Sequence, residues 1–208
     1  MNLRNYRLNR VQKTLGLVLL LALAAIPLRA TSVVPPEFSE LVNRSDYVVR
    51  ARVKSLSYED RVSGGRELVF TKIEVEVLEV IAGTPPESVV LVMLGGRSGD
   101  RELVVAGVPQ FKVGDEDILF VQGNGRNFYP LYAVMHGKYP VKRDQATGRR
   151  FVTRSNEVPL GDVAEVTLPM TDGTAAELQK RMRRTTDAMT PEDFIQRIKQ
   201  QRGPKRAK

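Results

Sequence analysis

The stretch that decides the fold is Leu103–Val141, LVVAGVPQFKVGDEDILFVQGNGRNFYPLYAVMHGKYPV. Short apolar runs alternate here with Gly, Pro and Asn, the pattern of consecutive β-strands joined by tight turns. It predicts a short strand over 102–106, then a crossing over 107–114 plugged by Val108, Pro109 and Phe111. A strand over 117–122 and a turn at Gly123-Asn124-Gly125 follow. Strands over 128–135 and 138–142, split by His136-Gly137, complete it. The stretch holds the chain's only histidine and three of its six tyrosines.

Upstream the strands are longer. From Asp46 to Leu56, Tyr47, Val49, Ala51 and Val53 fall on one face and Arg50, Arg52 and Lys54 on the other, as in a half-buried antiparallel strand. Ser63-Gly64-Gly65 supplies a turn. From Leu68 to Ile81, Val69, Thr71, Ile73, Val75 and Val77 face in and Lys72, Glu74 and Glu76 face out. The outward charges of the two strands can pair across a hairpin. Val89–Leu94 is unbroken apolar, which predicts a central strand buried on both faces, and 95–100 is a flexible loop. Before all of these, Phe38, Leu41 and Val42 make the apolar stripe of a short helix entered at Pro36.

Downstream, Asp144–Gly148 is a turn and Arg150–Arg154 a last short strand. Residues 156–173 form a loop lying over the strands through Val158, Leu160, Val163, Val166 and Leu168. The period then changes. Thr174-Ala175-Ala176-Glu177 is a capping box leading to Leu178, Met182 and Met189. Thr190-Pro191-Glu192-Asp193 starts a second helix whose stripe is Phe194, Ile195 and Ile198. The expected architecture is mainly β: a small antiparallel, OB-like barrel over 31–173, with a β-sandwich as the alternative. Two C-terminal helices occupy 174–202, and 203–208 is a basic, disordered tail.

The ends explain the charge. Arg4, Arg7, Arg10 and Lys13, the apolar run Leu15–Ile26 and a small residue at Ala30 have the order of a secretory signal peptide, residues 1–30. An uncleaved anchor is the alternative. Of the net +8, residues 1–30 carry five basic and no acidic groups, and 174–208 carry ten basic and four acidic. The remainder has 17 basic and 20 acidic residues. A nucleic-acid reader concentrates its basic residues on the folded face, so nucleic acid is excluded as a partner. The chain has no cysteine, which removes disulfides, thiolate chemistry and Cys-based metal sites.

Chemistry-bearing motifs are sparse. His136 has no Gly-x-Ser-x-Gly elbow to pair with, so no catalytic residue is assigned, and it reads as a strand-end residue bonded to the backbone. Asp115-Glu116-Asp117 lacks the ligand spacing of a calcium loop and reads as a solvated acidic turn. No metal and no cofactor are predicted. Gly95-Gly96-Arg97 can cradle an anion through backbone N–H groups, although it precedes no helix and also suits a plain hairpin loop. Phe128, Tyr129, Tyr132 and Tyr139 suit either a binding rim or strand packing. The candidate binding residues are therefore Gly95, Gly96, Arg97, Tyr129, Tyr132 and His136. Arg181, Arg183 and Arg184 form a run that could meet anionic surfaces.

Two resemblances follow. The succession LVNRSDYVVRARV (41–53), VLEVIAGTPP (77–86), VAGVPQF (105–111), GDEDILFV (114–121) and HGKYPV (136–141) resembles a group of exported bacterial proteins of the verrucomicrobial type. That similarity covers most of residues 31–160, implies export and supplies no catalytic residues. More distantly, the layout is similar to the netrin-like modules of tissue inhibitors of metalloproteinases, which implies an OB barrel. Those inhibitors place an N-terminal cysteine on the protease metal, which this chain lacks. The expected function is a non-enzymatic envelope or periplasmic binding or protein-interaction module, its partner a protein or glycan of the cell envelope. The alternatives are a hydrolase or protease-associated factor with dispersed carboxylates, and a membrane-tethered structural protein if the signal stays uncleaved.

Overall fold

A computed structural model of the protein describes residues 34–170 and 185–203. In chain order the elements are helix α1 (Phe38–Arg44), strands β1 (Tyr47–Ser63), β2 (Arg66–Gly83), β3 (Val89–Leu94), β4 (Gly96–Ser98), β5 (Arg101–Leu103), β6 (Glu116–Val121), β7 (Lys138–Arg143) and β8 (Arg150–Val152), and helix α2 (Pro191–Arg202). Six strands form one antiparallel sheet in the order β3-β2-β1-β6-β7-β8, and β4 pairs with β5 in a separate hairpin. The mainly β expectation is met. Among the described residues no ladder joins β3 to β8.

The long β1–β2 hairpin turns at Gly64 and Gly65, with φ of 58° and 75°. A two-residue hairpin needs both central residues in that left-handed region, which glycine reaches without strain. The cross-strand charges meet as expected. Lys54 Nζ lies 3.1 Å from Glu74 Oε1, and Arg52 is 3.6 Å from Glu76. Three register shifts interrupt the ladder, at Val48/Val49, Arg50/Ala51 and Val53/Ser55, and irregularities of this kind bend and twist a strand.

Two apolar clusters lie on the sheet. The first takes Val48, Ile118, Phe120, Tyr139 and Val152 from the strands and is covered by helices. Leu41 and Val42 of α1 and Phe194, Ile195 and Ile198 of α2 supply that cover. The Phe194 ring lies 5.0 Å from Tyr139 and 6.1 Å from Phe120, centroid to centroid. The second cluster holds Tyr47, Val49, Ala51 and Val53, the alternating set read from β1. Ile73, Val75, Leu91 and Leu119 join it, closed by Phe111 and Leu131 from irregular chain.

Helix α2 begins where its capping residues stand. Thr190 Oγ1 accepts from the Asp193 N–H at 3.1 Å, Pro191 occupies the first turn, and Gly203 ends the helix at φ 65°. Its last residue reaches across the fold: the Arg202 guanidinium donates to the carbonyls of Val42 and Ser45 at 2.5 and 3.0 Å. It thereby satisfies oxygen atoms that the end of α1 leaves without helical partners.

Both outer edges of the sheet are covered. Beside β3, the Asn124 side chain donates to Val90 O at 2.8 Å and accepts from Val92 N at 3.4 Å, and Leu94 N donates to Phe128 O. Beside β8, Leu160 N donates to Val152 O and Val152 N to Met189 O. The loop over 156–170 lies where expected, with Val158, Leu160 and Val166 buried. The buried Arg154 ties it down, donating to the carbonyls of Leu168 and Pro169.

Four expectations are corrected. Val89–Leu94 is not a central strand: β3 lies at the edge of the sheet, with one face buried and the other half-buried. Residues 128–135 do not form a strand: only Leu131 bridges, to Val121. Ala133 and Val134 take φ of 49° and 55°, and a 3-10 turn runs over Val134–Gly137. Of the large apolar side chains over 128–135 only Leu131 is buried, and Phe128 is 50% exposed. Residues 95–100 are not a free loop, because 96–103 fold back as β4 and β5. Met189 is not helical; its backbone bridges Val152 and Leu160. The signal segment 1–30, the helix expected from Thr174 with Arg181, Arg183 and Arg184, and the tail over 204–208 lie outside the described residues.

Candidate functional site

The crossing segment 107–112 borders two depressions, since Val108, Pro109 and Gln110 line both. Val108 packs on the second cluster and Phe111 is buried in it, as their role as plugs predicts.

The first depression is a groove of 210 Å³. Leu56 and Tyr58 of β1, Ile73 of β2, Met93 of β3 and Val105 form its walls, with the β4–β5 hairpin alongside. Gly95 and Gly96 lie in it, at φ of 109° and 129°. A Cβ on Gly96 would fall 2.8 Å from Tyr58 Cδ1, so only glycine lets the ring lie on the backbone there. Gly95 N donates to Val69 O at 2.8 Å, and Thr71 Oγ1 donates to Gly95 O at 2.6 Å. The donor that an anion cradle would need at Gly95 is thus already engaged. Arg97 at the lip lies 3.8 Å from Glu102. At the mouth Tyr58 is 48% exposed and Val104 79%.

The second depression is a cleft of 480 Å³. Val108, Pro109, Met135 and Met170 give it apolar walls, and Lys112, Lys138 and Lys142 bring charge. Lys138 is only 5% exposed. Its Nζ lies 3.1 Å from Asp117 Oδ1 and 4.9 Å from the centre of the Phe111 ring. Asp117 is 1% exposed, and neither carboxylate oxygen is in a directional hydrogen bond. Burial pushes its carboxyl up to about 6, against the pull of Lys138.

The expected solvated acidic turn at 115–117 is therefore corrected. Asp117 is a buried member of β6. Glu116, beside it, sits 2.5 Å from Arg150 and 3.9 Å from both Arg50 and Arg52. Among the described residues no group of three or more acidic or imidazole side chains could hold a metal ion.

The six sequence candidates do not converge. Gly95, Gly96 and Arg97 share the groove. Tyr132 packs on the first cluster, and its hydroxyl accepts from Arg44 Nη1 at 3.3 Å. Tyr129 is half-buried, and burial raises its hydroxyl pKa. His136 is buried in the 3-10 turn and bonded to the backbone of Val166, with Nδ1 lacking a partner. Burial, and then the Arg154 guanidinium, hold its pKa down to about 4. Tyr139 is core, edge-on to Phe120 and tilted against Phe194.

The sequence pattern gave Lys138 no role and placed Asp117 in a solvated turn. The available signal was a charged residue inside a run of buried strand positions, which ordinary globular chains keep apolar unless the charge is paired.

No protein-family model and no curated protein sequence matches this chain.

Proposed function

We propose that this protein is an exported, non-enzymatic module of the bacterial cell envelope that binds a partner protein by taking one apolar anchor side chain into the groove beside Gly95 and Gly96. The observation that carries this is the groove's size and lining. At 210 Å³ it is smaller than the roughly 300–1,000 Å³ of small-molecule sites. Its inner walls are Leu56, Ile73, Met93 and Val105, and the Thr71 hydroxyl is turned onto Gly95 O; Arg97, Glu102 and Gln110 add polar groups to the lining, the first two paired with each other. A sugar needs several free hydrogen-bonding groups, whereas an anchor residue needs a dry socket with apolar residues at its mouth. Tyr58 and Val104 supply that mouth.

Two further parts of the reading belong with it. The resemblance over residues 31–160 supports export. The bends in β1 support an OB-like, partly open barrel around the second cluster. Within the groove the hydrolase alternative gains little support, because the one carboxylate there, Glu102, lies 3.8 Å from Arg97.

The test is selection of displayed peptides on the purified protein. The selected peptides should share one large aliphatic or aromatic residue, and Val104→Glu should weaken them at least tenfold with no change in melting temperature. Peptides without such an anchor, or undiminished binding to both Val104→Glu and Tyr58→Ala, would remove the groove as the site. A mass beginning at Thr31 for the protein taken from its host is expected from the export part; an intact Met1 would overturn it.

A further inference from the structure

The cleft on the other side of residues 107–112 has a different chemistry. At 480 Å³ it falls within the range of small-molecule sites. The nearly buried Lys138 is among its lining residues, and its ammonium lies against the Phe111 ring and Asp117. An ammonium has three donors, and one carboxylate oxygen at 3.1 Å does not occupy them all. Asp117 is itself poorly served: buried carboxylates normally collect hydrogen bonds, and this one has none with directional geometry. Two of the neighbouring polar side chains are already engaged. Ser155 Oγ turns to the carbonyls of Met135 and Lys138, and Lys142 Nζ is 3.1 Å from Glu157.

We infer that this cleft binds a small carboxylate carried on an apolar stem, with the Lys138 ammonium as its anchor and Val108, Met135 and Met170 against the stem. No arginine stands among its lining residues. The bidentate fork that favours phosphate is therefore missing; of the other two lysines, Lys142 is paired with Glu157 and Lys112 is an exposed residue of the crossing segment. The incoming carboxylate replaces Asp117 as the counter-ion of Lys138. Acid assists the exchange, because Asp117 is protonated near pH 6. The other charged groups facing the pair are Asp115 beside β6, Lys142 on β7, Lys112 on the crossing segment and Glu157 at the rim. His136, two residues from Lys138, stays neutral down to about pH 4.

The probes are hexanoate, hexanol, hexylammonium and inorganic phosphate, titrated by calorimetry and by methyl NMR of Met135 and Met170. Hexanoate is expected to bind tightest, about tenfold more tightly at pH 5.5 than at 7.5, given a linked carboxyl near 6. Lys138→Met should abolish the preference for hexanoate over hexanol. Asp117→Asn should tighten hexanoate at pH 7.5 and flatten the pH dependence. That second variant keeps the question open to refutation if Lys138→Met does not fold. Equal binding of hexanol, tighter binding of phosphate or hexylammonium, or an Asp117→Asn protein with the parent's affinity and pH dependence would each overturn the inference.

Discussion

His136 and Asp117 pull in opposite directions when the protein is acidified. The imidazole falls from its ordinary 6.5 to about 4 on folding. Between those two values the unfolded chain takes up a proton that the folded chain refuses, so stability is lost as pH falls. Asp117 rises from 3.8 to about 6. Between 6 and 3.8 the folded chain takes the proton first, so stability is gained as pH falls and lost again as it rises through 6. Each slope approaches about 1.4 kcal/mol per pH unit. The two largely cancel between pH 4 and 6 in the parent protein. Asp117→Asn should expose the histidine and lose stability steeply from pH 6 to 4, whereas His136→Gln should move the other way against the parent. Urea midpoints of all three proteins at pH 7, 5.5 and 4.5 check this; parallel curves for the two variants would sink it. Neither residue was legible in this role. A lone histidine before Gly137 and an aspartate in an acidic triplet acquire their environments from Arg154, Val166 and Lys138, partners that only the folded chain brings close.

At the scale of elements, Asn124 has the most specific role. Its amide does for β3 what a neighbouring strand would do, meeting Val90 O and Val92 N. Asn124→Ala leaves those two backbone groups without that partner, at a cost of about 1–2 kcal/mol. The variant should show faster hydrogen exchange at Val92 and self-association that rises with concentration, as bare strand edges do. Unchanged exchange at Val92 would mean that water serves the edge equally well. Gly123-Asn124-Gly125 was readable as a tight turn, because its residue types tolerate positive φ. That the amide would cap a strand about thirty residues upstream was not. The same division runs through the other elements. Tyr47–Val53 and Thr190–Ile198 were legible because one periodicity held over each of them. Residues 128–135 were misread because Ala133 and Val134 adopt a backbone that their side chains give no sign of favouring. The groove glycines were legible as a hairpin loop, but the socket beside them depends on Met93 and Val105 arriving from separate segments.

For the whole molecule, Phe194 is the side chain on which the layers depend. It touches the rings of Phe38, Phe120 and Tyr139, and so joins both helices to the middle of the sheet. Phe194→Ala should cost about 3–5 kcal/mol, a large share of the 5–15 kcal/mol typical of a domain. Both clusters share β1 and β6, so they should unfold together. Coincident loss of exchange protection around Tyr139 and around Leu91 is the expected result, and survival of the second cluster alone would show the sheet to be self-sufficient. The pairing of Arg202 with Val42 and Ser45 has a consequence in time. A chain delivered from its N-terminus by a ribosome has α1 (Phe38–Arg44) available early, yet the helix that seals it, Pro191–Arg202, emerges only after the whole sheet. At roughly 5–20 residues per second of synthesis that delay is on the order of ten seconds. Throughout it the first cluster stays open, so α1 and the strands beneath it wait without their cover until α2 has emerged.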